Sequence, residues 1–407
     1  MAIAYRNVEP DFGGDMSLQS SQRRSTVREL YYITHIKNLP SILRRGILCH
    51  RKMVAEGIPF EPIYDEEIVS NRKNIAAPNG EDLWSFANFY FQPRNPMLYR
   101  VLLHRPREDI AILGVRRDIL GLSKVYVTDG NAASSNSKIL PVNPKAIEQI
   151  AAQTDEVWWN YVDGKRRIMA ECLVADEVPP EHLQAVYVPN HQGAERARTL
   201  VGGPIIPVIP QPEWFFLPSK EIRLTPTLSV REGDMFFSGA QTLTISVNCV
   251  GKMGKGLASR AKYLFPDVYV YYDDLCRRRA LKLGKPYLYR RDISLDLQLA
   301  DEPTRLPDAN AGTWFLLFPT KNHWRDRADI HGIEKGLGLT ARDYRDMGIK
   351  SLAVPALGCG LGALDWKDVG PILCKYLSRL EIPTWIYLPA ERRISEEFLT
   401  PEYLLRR

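Results

Sequence analysis

The 407-residue sequence lacks several features that would each have fixed its class at once. No run of apolar residues reaches 18, which excludes a helical membrane span and predicts no membrane partner. The first 22 residues contain no apolar core of a secretory signal. Only six cysteines occur, none of them in a CxxC pair, which argues against a structural zinc site and against a disulfide framework. We therefore expect reduced thiols, a cytoplasmic location and no metal cofactor.

The composition that remains is that of a folded protein with several domains. Hydrophobic residues make up 45% and charged residues 25%, both near the globular average, and the length predicts at least two domains. The net charge of +6 favours an anionic partner such as a nucleic acid or a nucleotide, although many ordinary proteins are equally basic.

A proline-rich and glycine-rich stretch, residues 201–226, divides the chain. Proline at this density forbids helix and interrupts sheet ladders, so we place a domain boundary here, with an edge strand over 205–209 at the end of the first domain. The predicted division is an N-terminal extension over 1–26, a first domain over 27–216, a linker over 217–226 and a second domain over 227–407.

Strand and helix patterns alternate in the second half of the chain. The expected strands cover 242–247, 313–318 and 351–354, and the expected helices cover 256–264 and 330–347. This alternation is typical of an α/β domain, in which a mostly parallel sheet is covered by helices on both faces. The first half is instead dominated by short apolar strands, such as 111–115, 124–127 and 185–188.

Two glycine-rich segments follow two of the predicted parallel strands. The strand 242–247 runs into NCVGKMGKG, residues 248–256, and the strand 351–354 runs towards GCGLG, residues 358–362. Glycine lets the backbone approach a ligand closely and point its amides at phosphate. Neither segment fits GxxxxGK[ST] or GxGxxG. Two such loops in one domain favour a diphosphate that is held from both sides.

Three ordered segments of this half resemble the DarG-type macrodomain, a family of antitoxin domains that bind ADP-ribose and remove it from DNA bases. They are SVNCVGKMGKG at 246–256, FPTKNHW at 318–324 and PALGCGLGALDW at 355–366. The resemblance implies that Asn248 reaches the distal ribose, that Lys321 carries the hydrolysis and that Asp234 contacts adenine. The further residues that it implies at the ADP-ribose site are Gly254, Gly256, Gly358, Cys359, Gly360, Leu361 and Gly362.

The implied chemistry suits a lysine. Cleavage of a base–ribose bond passes through an oxocarbenium-like ribose and needs a leaving base that can accept electrons. A lysine beside the anomeric carbon can protonate the leaving base or attack the carbon as an amine, and both possibilities stay open at this stage.

One carboxylate interrupts an apolar strand in the first half. Glu171 lies in IMAECLV, residues 168–174, where burial without a partner would cost several kcal/mol. It is therefore either a solvent-facing strand residue or a catalytic acid at the edge of a cleft.

Five ordered segments of the first half resemble the DarT-type DNA ADP-ribosyltransferase toxins, which have an α+β fold. They are YITH at 32–35, Asn71-Arg72, FYFQPRNPMLY at 89–99, VTDGNAA at 127–133 and MAECL at 169–173. The resemblance implies that Glu171 is the catalytic glutamate and that Arg72 is needed for transfer to the base. The residues expected to bind NAD are Tyr32, which stands where many members carry histidine, with Thr34, His35, Tyr90 and Tyr99. The residues expected to bind DNA are Arg94, Arg100, Thr128 and Asn131.

Together the two resemblances predict a fusion of a toxin with its antitoxin. The first domain would transfer ADP-ribose from NAD to a base of single-stranded DNA, which is already unstacked, and the motifs favour guanine over thymine. The macrodomain would remove the mark, and the two domains could contact each other. Two alternatives remain open: a macrodomain that only binds ADP-ribose, and a transferase that modifies RNA or protein.

Overall fold

The structure is a computed structural model that describes residues 27–64, 66–155, 163–203, 206–301, 312–389 and 392–406. The predicted N-terminal extension, residues 1–26, therefore lies outside the described residues. In the first half the helices are α1 Leu39–Arg45, α2 His50–Ala55, α3 Glu66–Arg72, α4 Pro96–His104, α5 Pro144–Thr154, α6 Gly164–Ile168 and α7 His191–Val201. In the second half they are α8 Gly256–Leu264, α9 Pro266–Arg277, α10 Leu295–Leu299, α11 Ile330–Asp343, α12 Trp366–Leu377 and α13 Pro401–Leu404.

An eight-stranded sheet forms the centre of the first half. Its strands are β1 Glu29–His35, β3 Phe86–Tyr90, β4 Ile110–Arg116, β5 Val125–Thr128, β6 Ile139–Pro141, β7 Glu171–Ala175, β9 Leu183–Val188 and β10 Val208–Pro210. The remaining strands, β2 Ile47–Leu48 and β8 Glu177–Val178, pair with each other. The order across the large sheet is β10-β9-β4-β1-β3-β7-β5-β6, and the pairs are antiparallel except β9 with β10. Together with the helices, this sheet confirms the α+β prediction.

Alternating burial on the central strands gives this sheet two apolar faces. Along β4, Ile110 and Ile112 pack into one hydrophobic cluster while Ala111, Leu113 and Val115 pack into another. The period of two is the expected signature of a strand that is covered on both sides. Helix α1 ends at Gly46, whose φ of 88° and tight approach to the Val178 carbonyl leave no room for a side chain.

A seven-stranded mixed sheet forms the centre of the second half. Its strands are β11 Lys220–Arg223, β12 Leu228–Glu232, β13 Thr242–Asn248, β14 Tyr287–Tyr289, β15 Trp314–Lys321, β16 Leu352–Pro355 and β17 Thr384–Tyr387. The order is β11-β12-β17-β16-β13-β15-β14, with parallel pairing from β12 through β15 and antiparallel edges. Successive residues of β15 pack on opposite faces, Phe315 with α8 and α9 and Leu316 with α11 and α12. The predicted macrodomain architecture is therefore confirmed.

Several predicted elements have different ends in the structure. The helix expected over 330–347 ends at Asp343, and the edge strand expected over 205–209 is β10, Val208–Pro210, with residue 205 outside the described residues. The interval 217–226, predicted as a linker, contains β11, which pairs antiparallel with β12. The linker prediction is wrong for these four residues. It was based on the proline density at 204–218, and the segment KEIR that follows contains no proline and can pair as a strand.

The two halves are packed against each other. One hydrophobic cluster contains Ile110 and Ile112 of the first sheet, Phe215 and Phe216 of the junction, and Phe237 of the second half. Separation of the halves would expose these apolar side chains to water, so their burial opposes it. The intramolecular contact that was left open by the sequence is therefore present in the structure.

Candidate active sites in the two halves

The carboxylate of Glu171 is fully buried at the start of β7 and is paired with Arg72. The Arg72 Nη2 atom lies 2.8 Å from Oε2, and Nη1 lies 3.3 Å from Oε1. Arg72 is the last residue of α3, so the helix end presents its guanidinium to the strand. Burial alone lowers the pKa of Arg72, but the Glu171 charge and hydrogen bonds outweigh it and raise that pKa overall. The solvent-facing alternative for Glu171 is wrong.

The TDGNAA segment closes around the same carboxylate. The backbone N–H of Ala132 donates to Oε1 of Glu171 at 2.8 Å, and the backbone N–H of Glu171 donates to Oγ1 of Thr128 at 2.8 Å. Thr128 is fully buried and holds the carboxylate-bearing strand, and its expected contact with DNA stays a prediction. Asn131 is half-buried in this loop, where its side-chain oxygen accepts from the Ala133 N–H at 2.9 Å.

Two tyrosines lie close to the pair formed by Glu171 and Arg72. Tyr90 is the register partner of Glu171 on β3, and burial together with the Glu171 charge raises the pKa of its hydroxyl. Tyr64 lies near Arg72, and burial raises the pKa of Tyr64 to about 12 even though the arginine opposes the shift. Both hydroxyls therefore stay protonated at neutral pH and can donate hydrogen bonds. Tyr64 is a site residue that the sequence interpretation missed.

The side chains of the YITH segment make contacts with neighbouring residues of the first half. Tyr32 packs its ring 5.9 Å from that of Phe89, and Thr34 accepts from the Asn38 side chain at 3.1 Å. His35 is buried, its Nδ1 atom accepts from the Lys37 N–H at 3.2 Å, and burial lowers its pKa, so the ring is neutral. Their expected contacts with NAD stay predictions.

Three residues expected at the NAD and DNA sites instead contact the second half of the chain. The Tyr99 hydroxyl donates to Asp296 at 2.5 Å, and Arg100, which is 3% exposed, pairs with Asp301 at 2.7 Å. Arg94 lies 3.5 Å from Asp234. These three side chains therefore take part in the contact between the halves, and their expected contacts with DNA and NAD stay predictions. A single sequence gives no sign that a basic or aromatic residue faces another domain.

A large cavity opens at the carboxyl ends of the parallel strands in the second half. Its volume of about 1580 Å³ exceeds the roughly 300–1,000 Å³ that is usual for a ligand pocket. Among the described residues that line it, eight are Lys or Arg and four are Asp or Glu. An excess of positive charge in a deep cleft favours an anionic ligand.

Asn248 fixes the first glycine-rich loop from within. Its Nδ2 atom donates to the Lys252 carbonyl at 2.6 Å, and its Oδ1 atom accepts from the Val250 N–H at 3.0 Å. The buried Tyr272 hydroxyl on α9 donates to the same Oδ1 atom at 3.0 Å. The loop therefore keeps one shape where it meets α8, with Gly254 and Gly256 on the cavity wall. No sequence pattern pointed to Tyr272.

Lys321 ends β15 and connects the two loops that flank it. Its ammonium donates to the carbonyl of Asp326 at 3.0 Å and to those of Trp324 and Leu361 at 3.4 Å each. Leu361 belongs to the second glycine-rich loop, so one cation spans the strand end and that loop. The indole of Trp324 is 47% exposed beside it.

The second glycine-rich loop is tightly closed. Gly358 has a φ of 78°, and a Cβ atom there would lie 2.7 Å from Leu364 and 3.0 Å from Ala328. Gly358, Gly360, Leu361 and Gly362 line the cavity. Cys359 does not, because its side chain is buried in the core below the loop, where burial raises the pKa of its thiol to about 12. The thiol of Cys359 therefore points away from the cavity, and the expected contact of this loop with the diphosphate stays a prediction.

Asp234 lies between two arginines at the other end of the cavity. Arg260 of α8 contributes Nη1 at 2.9 Å from Oδ1 and Nη2 at 2.9 Å from Oδ2, and Arg94 approaches Oδ2 at 3.5 Å. Burial lowers the pKa of both guanidinium groups, although Asp234 opposes that effect. Arg260 was missed, although its place one turn after Gly256 in the helix that follows the loop is a usable signal.

Within the described ranges, no group of three His, Cys, Asp or Glu side chains is arranged to hold a metal ion. No helix in the part of the chain that the structure describes is long and apolar enough to cross a membrane.

Comparison with known proteins assigns both halves. Residues 31–216 match the family model described as ssDNA thymidine ADP-ribosyltransferase, DarT, and residues 313–373 match the Macro domain model. A DNA ADP-ribosyl transferase-DNA ADP-ribosyl glycohydrolase fusion protein from Thermosipho africanus is 53% identical over 93% of this chain and 98% of its own length. A DNA ADP-ribosyl glycohydrolase from Mycobacterium tuberculosis is 34% identical over 39% of this chain and 41% of its own length.

The fold comparison agrees over nearly the whole chain. The structure titled Thermosipho africanus DarTG in complex with ADP-ribose has a TM-score of 0.88 and 51% sequence identity, and the match covers 93% of this chain and 100% of that one.

Proposed function

Because the chain belongs to the family of DNA ADP-ribosyl transferase–DNA ADP-ribosyl glycohydrolase fusion proteins, we propose a base and a role for each site of this two-enzyme chain. The first half is an NAD-dependent DNA ADP-ribosyltransferase and the second half is a DNA ADP-ribosyl glycohydrolase. We propose that the acceptor is a guanine in single-stranded DNA, and that the chain works in the cytoplasm.

The observation that carries the transferase assignment is the buried pair of Glu171 with Arg72. Three hydrogen bonds, two from the guanidinium and one from the Ala132 N–H, hold the carboxylate in place. A fixed negative charge of this kind stabilises the positive ribose that forms as nicotinamide leaves. The bond from nicotinamide nitrogen to ribose C1 breaks and its electron pair leaves with the neutral nicotinamide. A bond from C1 to the base nitrogen forms, and the proton of that nitrogen is released to water.

Glu171 and Arg72 divide this work. Glu171 accepts a hydrogen bond from the ribose 2′-hydroxyl, and Arg72 keeps the carboxylate oriented and presents its remaining N–H groups to the incoming base. Tyr64 and Tyr90 supply hydroxyl donors at the edge of the site. The Arg72 side chain is 16% exposed, so part of it is accessible from solvent.

The support for guanine comes from the sequence. The FANFYF and RNPMLY segments and the TDGNAA loop are more similar to the guanine-modifying branch of DarT-type transferases than to the thymine-modifying branch. The loop also contacts the catalytic carboxylate directly through the Ala132 N–H. Its residues therefore lie where they can influence which atom of the acceptor base reacts with the ribose.

The macrodomain site suits hydrolysis of the same bond. The strand order, with the two glycine-rich loops in the middle and Lys321 at one end, supports an arrangement in which adenosine, diphosphate and reacting ribose lie along one line. The ammonium of Lys321 is held at the end of the cavity by three carbonyls, and we assign it as the acid that protonates the leaving base. Water then adds to C1 of the ribose.

Base choice is tested with four single-stranded oligonucleotides, each lacking one of the four bases. The Lys321→Ala chain is used so that the product persists, and mass spectrometry follows the added ADP-ribose. We expect modification of every oligonucleotide except the one without guanine. Modification that disappears only when thymine is absent would overturn the guanine proposal, and transfer to RNA or protein in preference to DNA would overturn the assignment of the acceptor class.

A further inference from the structure

The wall of the macrodomain cavity is not made by the macrodomain alone. Five of its lining residues precede residue 217 and so belong to the transferase half; they are Gln92, Arg94, Glu213, Trp214 and Phe216. They reach the cavity because the segment after β3 and the segment before β11 both lie on the interface between the halves.

Arg94 is the most firmly placed of these five. Its guanidinium carbon lies 4.9 Å from the ring of Phe216 and 4.7 Å from the ring of Phe237, and its Nη2 atom lies 3.5 Å from Asp234. One ring comes from each half of the chain. The two ring centroids lie only 4.7 Å from each other, so the guanidinium packs against the rings as a pair and is not enclosed between them. These contacts restrict its position, so it forms part of the wall and is not a mobile surface charge.

The backbone conformation of Phe216 indicates that the surrounding contacts hold this residue in place. Phe216 has a φ of 58°, in the left-handed region that a bulky residue rarely adopts. Its ring is nonetheless 4% exposed, packed 4.7 Å from Phe237 and 5.0 Å from Tyr99. Strain of this kind persists only where surrounding contacts hold it, and it often marks ligand sites.

Strand order shows which end of the cavity Arg94 occupies. Asp234 follows β12 and Lys321 ends β15, and the order β12-β17-β16-β13-β15 puts four strand spacings between them. At about 4.8 Å per spacing, the two ends are roughly 19 Å apart. The glycine-rich loops after β16 and β13 lie between them. With the reacting ribose at Lys321 and the diphosphate on the loops, the end beside Asp234 is left for adenosine.

We propose that Arg94 of the transferase half is an adenosine-binding residue of the macrodomain, so that the glycohydrolase site of this chain is completed by its transferase. The flat cationic face of the guanidinium packs against the adenine ring, while Asp234 stays held by Arg260 for contact with the edge of the base. The inference rests on the proposed placement of ADP-ribose in this cavity. It makes Arg94 a determinant of affinity and not of the chemical step.

The first test measures ADP-ribose affinity of the full-length chain by titration calorimetry. Arg94→Ala is compared with wild type and with Lys165→Met. Lys165 donates to the Ala300 carbonyl at 2.8 Å, so its substitution removes another contact between the halves and leaves the cavity wall intact. We expect Arg94→Ala to weaken binding about tenfold and Lys165→Met to leave it within about twofold.

Two results would overturn the inference. One is an Arg94→Ala chain that binds ADP-ribose as tightly as wild type. The other is equal weakening by Lys165→Met, which would mean that the loss arises from loosening of the halves. Thermal unfolding of each variant shows whether it is folded. If Arg94→Ala does not fold, Arg94→Gln keeps a polar side chain at the interface and carries the same expectation.

The second test separates binding from chemistry. Removal of ADP-ribose from a purified modified oligonucleotide is followed with NAD omitted, so that the transferase half is idle. Arg94→Ala should raise KM about tenfold and leave kcat within about twofold, because Arg94 lies at the end of the cavity remote from Lys321. A fall in kcat at unchanged KM would contradict this placement. A wild-type chain that neither binds ADP-ribose nor removes it would instead refute the proposed function itself.

Discussion

In the transferase half the reactive groups meet at the start of a strand in a mostly antiparallel sheet, whereas in the macrodomain they meet beyond the ends of parallel strands. Glu171, Arg72 and the Ala132 amide all come from the first half and fix one another through direct side-chain contacts. The macrodomain cavity is lined largely by loop backbone and also takes residues from the transferase. By these contacts the transferase site is complete within its own half, and the glycohydrolase site is not.

This difference matters for a chain that both makes and removes the same mark. The cavity of the glycohydrolase is lined partly by residues of the transferase half. Substitutions at the interface in the transferase half should therefore also weaken the affinity of the glycohydrolase for ADP-ribose. Damage at Glu171 should have no such effect. The following changes test how far the two sites can be separated.

The largest effect is expected from Glu171→Gln. The amide keeps the shape of the side chain but removes the charge that stabilises the ribose cation, so transfer should fall about 10²–10³-fold or more. Transfer of labelled ADP-ribose from NAD to single-stranded DNA measures it, and removal of ADP-ribose from modified DNA should be unchanged. Glu177→Gln, on an exposed pair with Lys52, is the matched control. Retention of more than about a tenth of the transferase activity would contradict the assignment of Glu171 as the catalytic glutamate.

Lys321→Ala should have the next largest effect, on the opposite activity. Loss of a general acid typically slows a reaction about 10²–10⁴-fold, and the transferase should be unaffected. The full-length variant should therefore accumulate modified DNA and become toxic in cells, and Glu171→Gln added to it should restore tolerance. Lys335→Ala, an exposed position on α11 outside the cavity, is the control. A Lys321→Ala chain as harmless as wild type, with no modified DNA, would contradict the assignment.

The sequence predicted best those features that are encoded locally. Helix α8 begins and ends where the pattern placed it, and the two glycine-rich loops follow adjacent parallel strands, because glycine spacing and strand alternation are properties of short segments. The contact of the TDGNAA loop with Glu171 through the Ala132 N–H was not predicted, because the two segments are about 40 residues apart in the chain.

Features that depend on the packing of the two halves could not be predicted. Arg94, Arg100 and Tyr99 lie in a motif-rich segment that suggested DNA and NAD contacts, yet their partners are some 140 to 200 residues away in the chain. Nothing in a local pattern distinguishes a basic residue that awaits phosphate from one that meets an aspartate of another domain. The same holds for Tyr272, whose hydroxyl reaches Asn248 from α9.

The interface pair of Arg100 with Asp301 should contribute strongly to stability. The arginine side chain is 4% exposed and the aspartate 16% exposed, and removal of one partner from a buried pair costs about 3 kcal/mol or more. Asp301→Ala should lower the urea midpoint accordingly. Glu334→Gln, which breaks an exposed pair with Lys375, should cost at most about 1 kcal/mol. Equal midpoints for the two variants would show that the Arg100–Asp301 contact does not hold the halves together.

The smallest effect concerns the glycine-rich loop that lies between the two ends of the cavity. Gly358→Ala places a methyl group 2.7 Å from Leu364 at a φ of 78°, so the loop must shift and the free energy of unfolding should fall by about 1–3 kcal/mol. ADP-ribose affinity should fall with it, because the loop amides move away from the diphosphate. Gly121→Ala, where no atom lies within 4 Å of the new methyl, should be neutral or slightly stabilising. If Gly358→Ala bound ADP-ribose as wild type does, the backbone of this loop would not be what holds the diphosphate, and the cavity would depend on side chains much as the transferase site does.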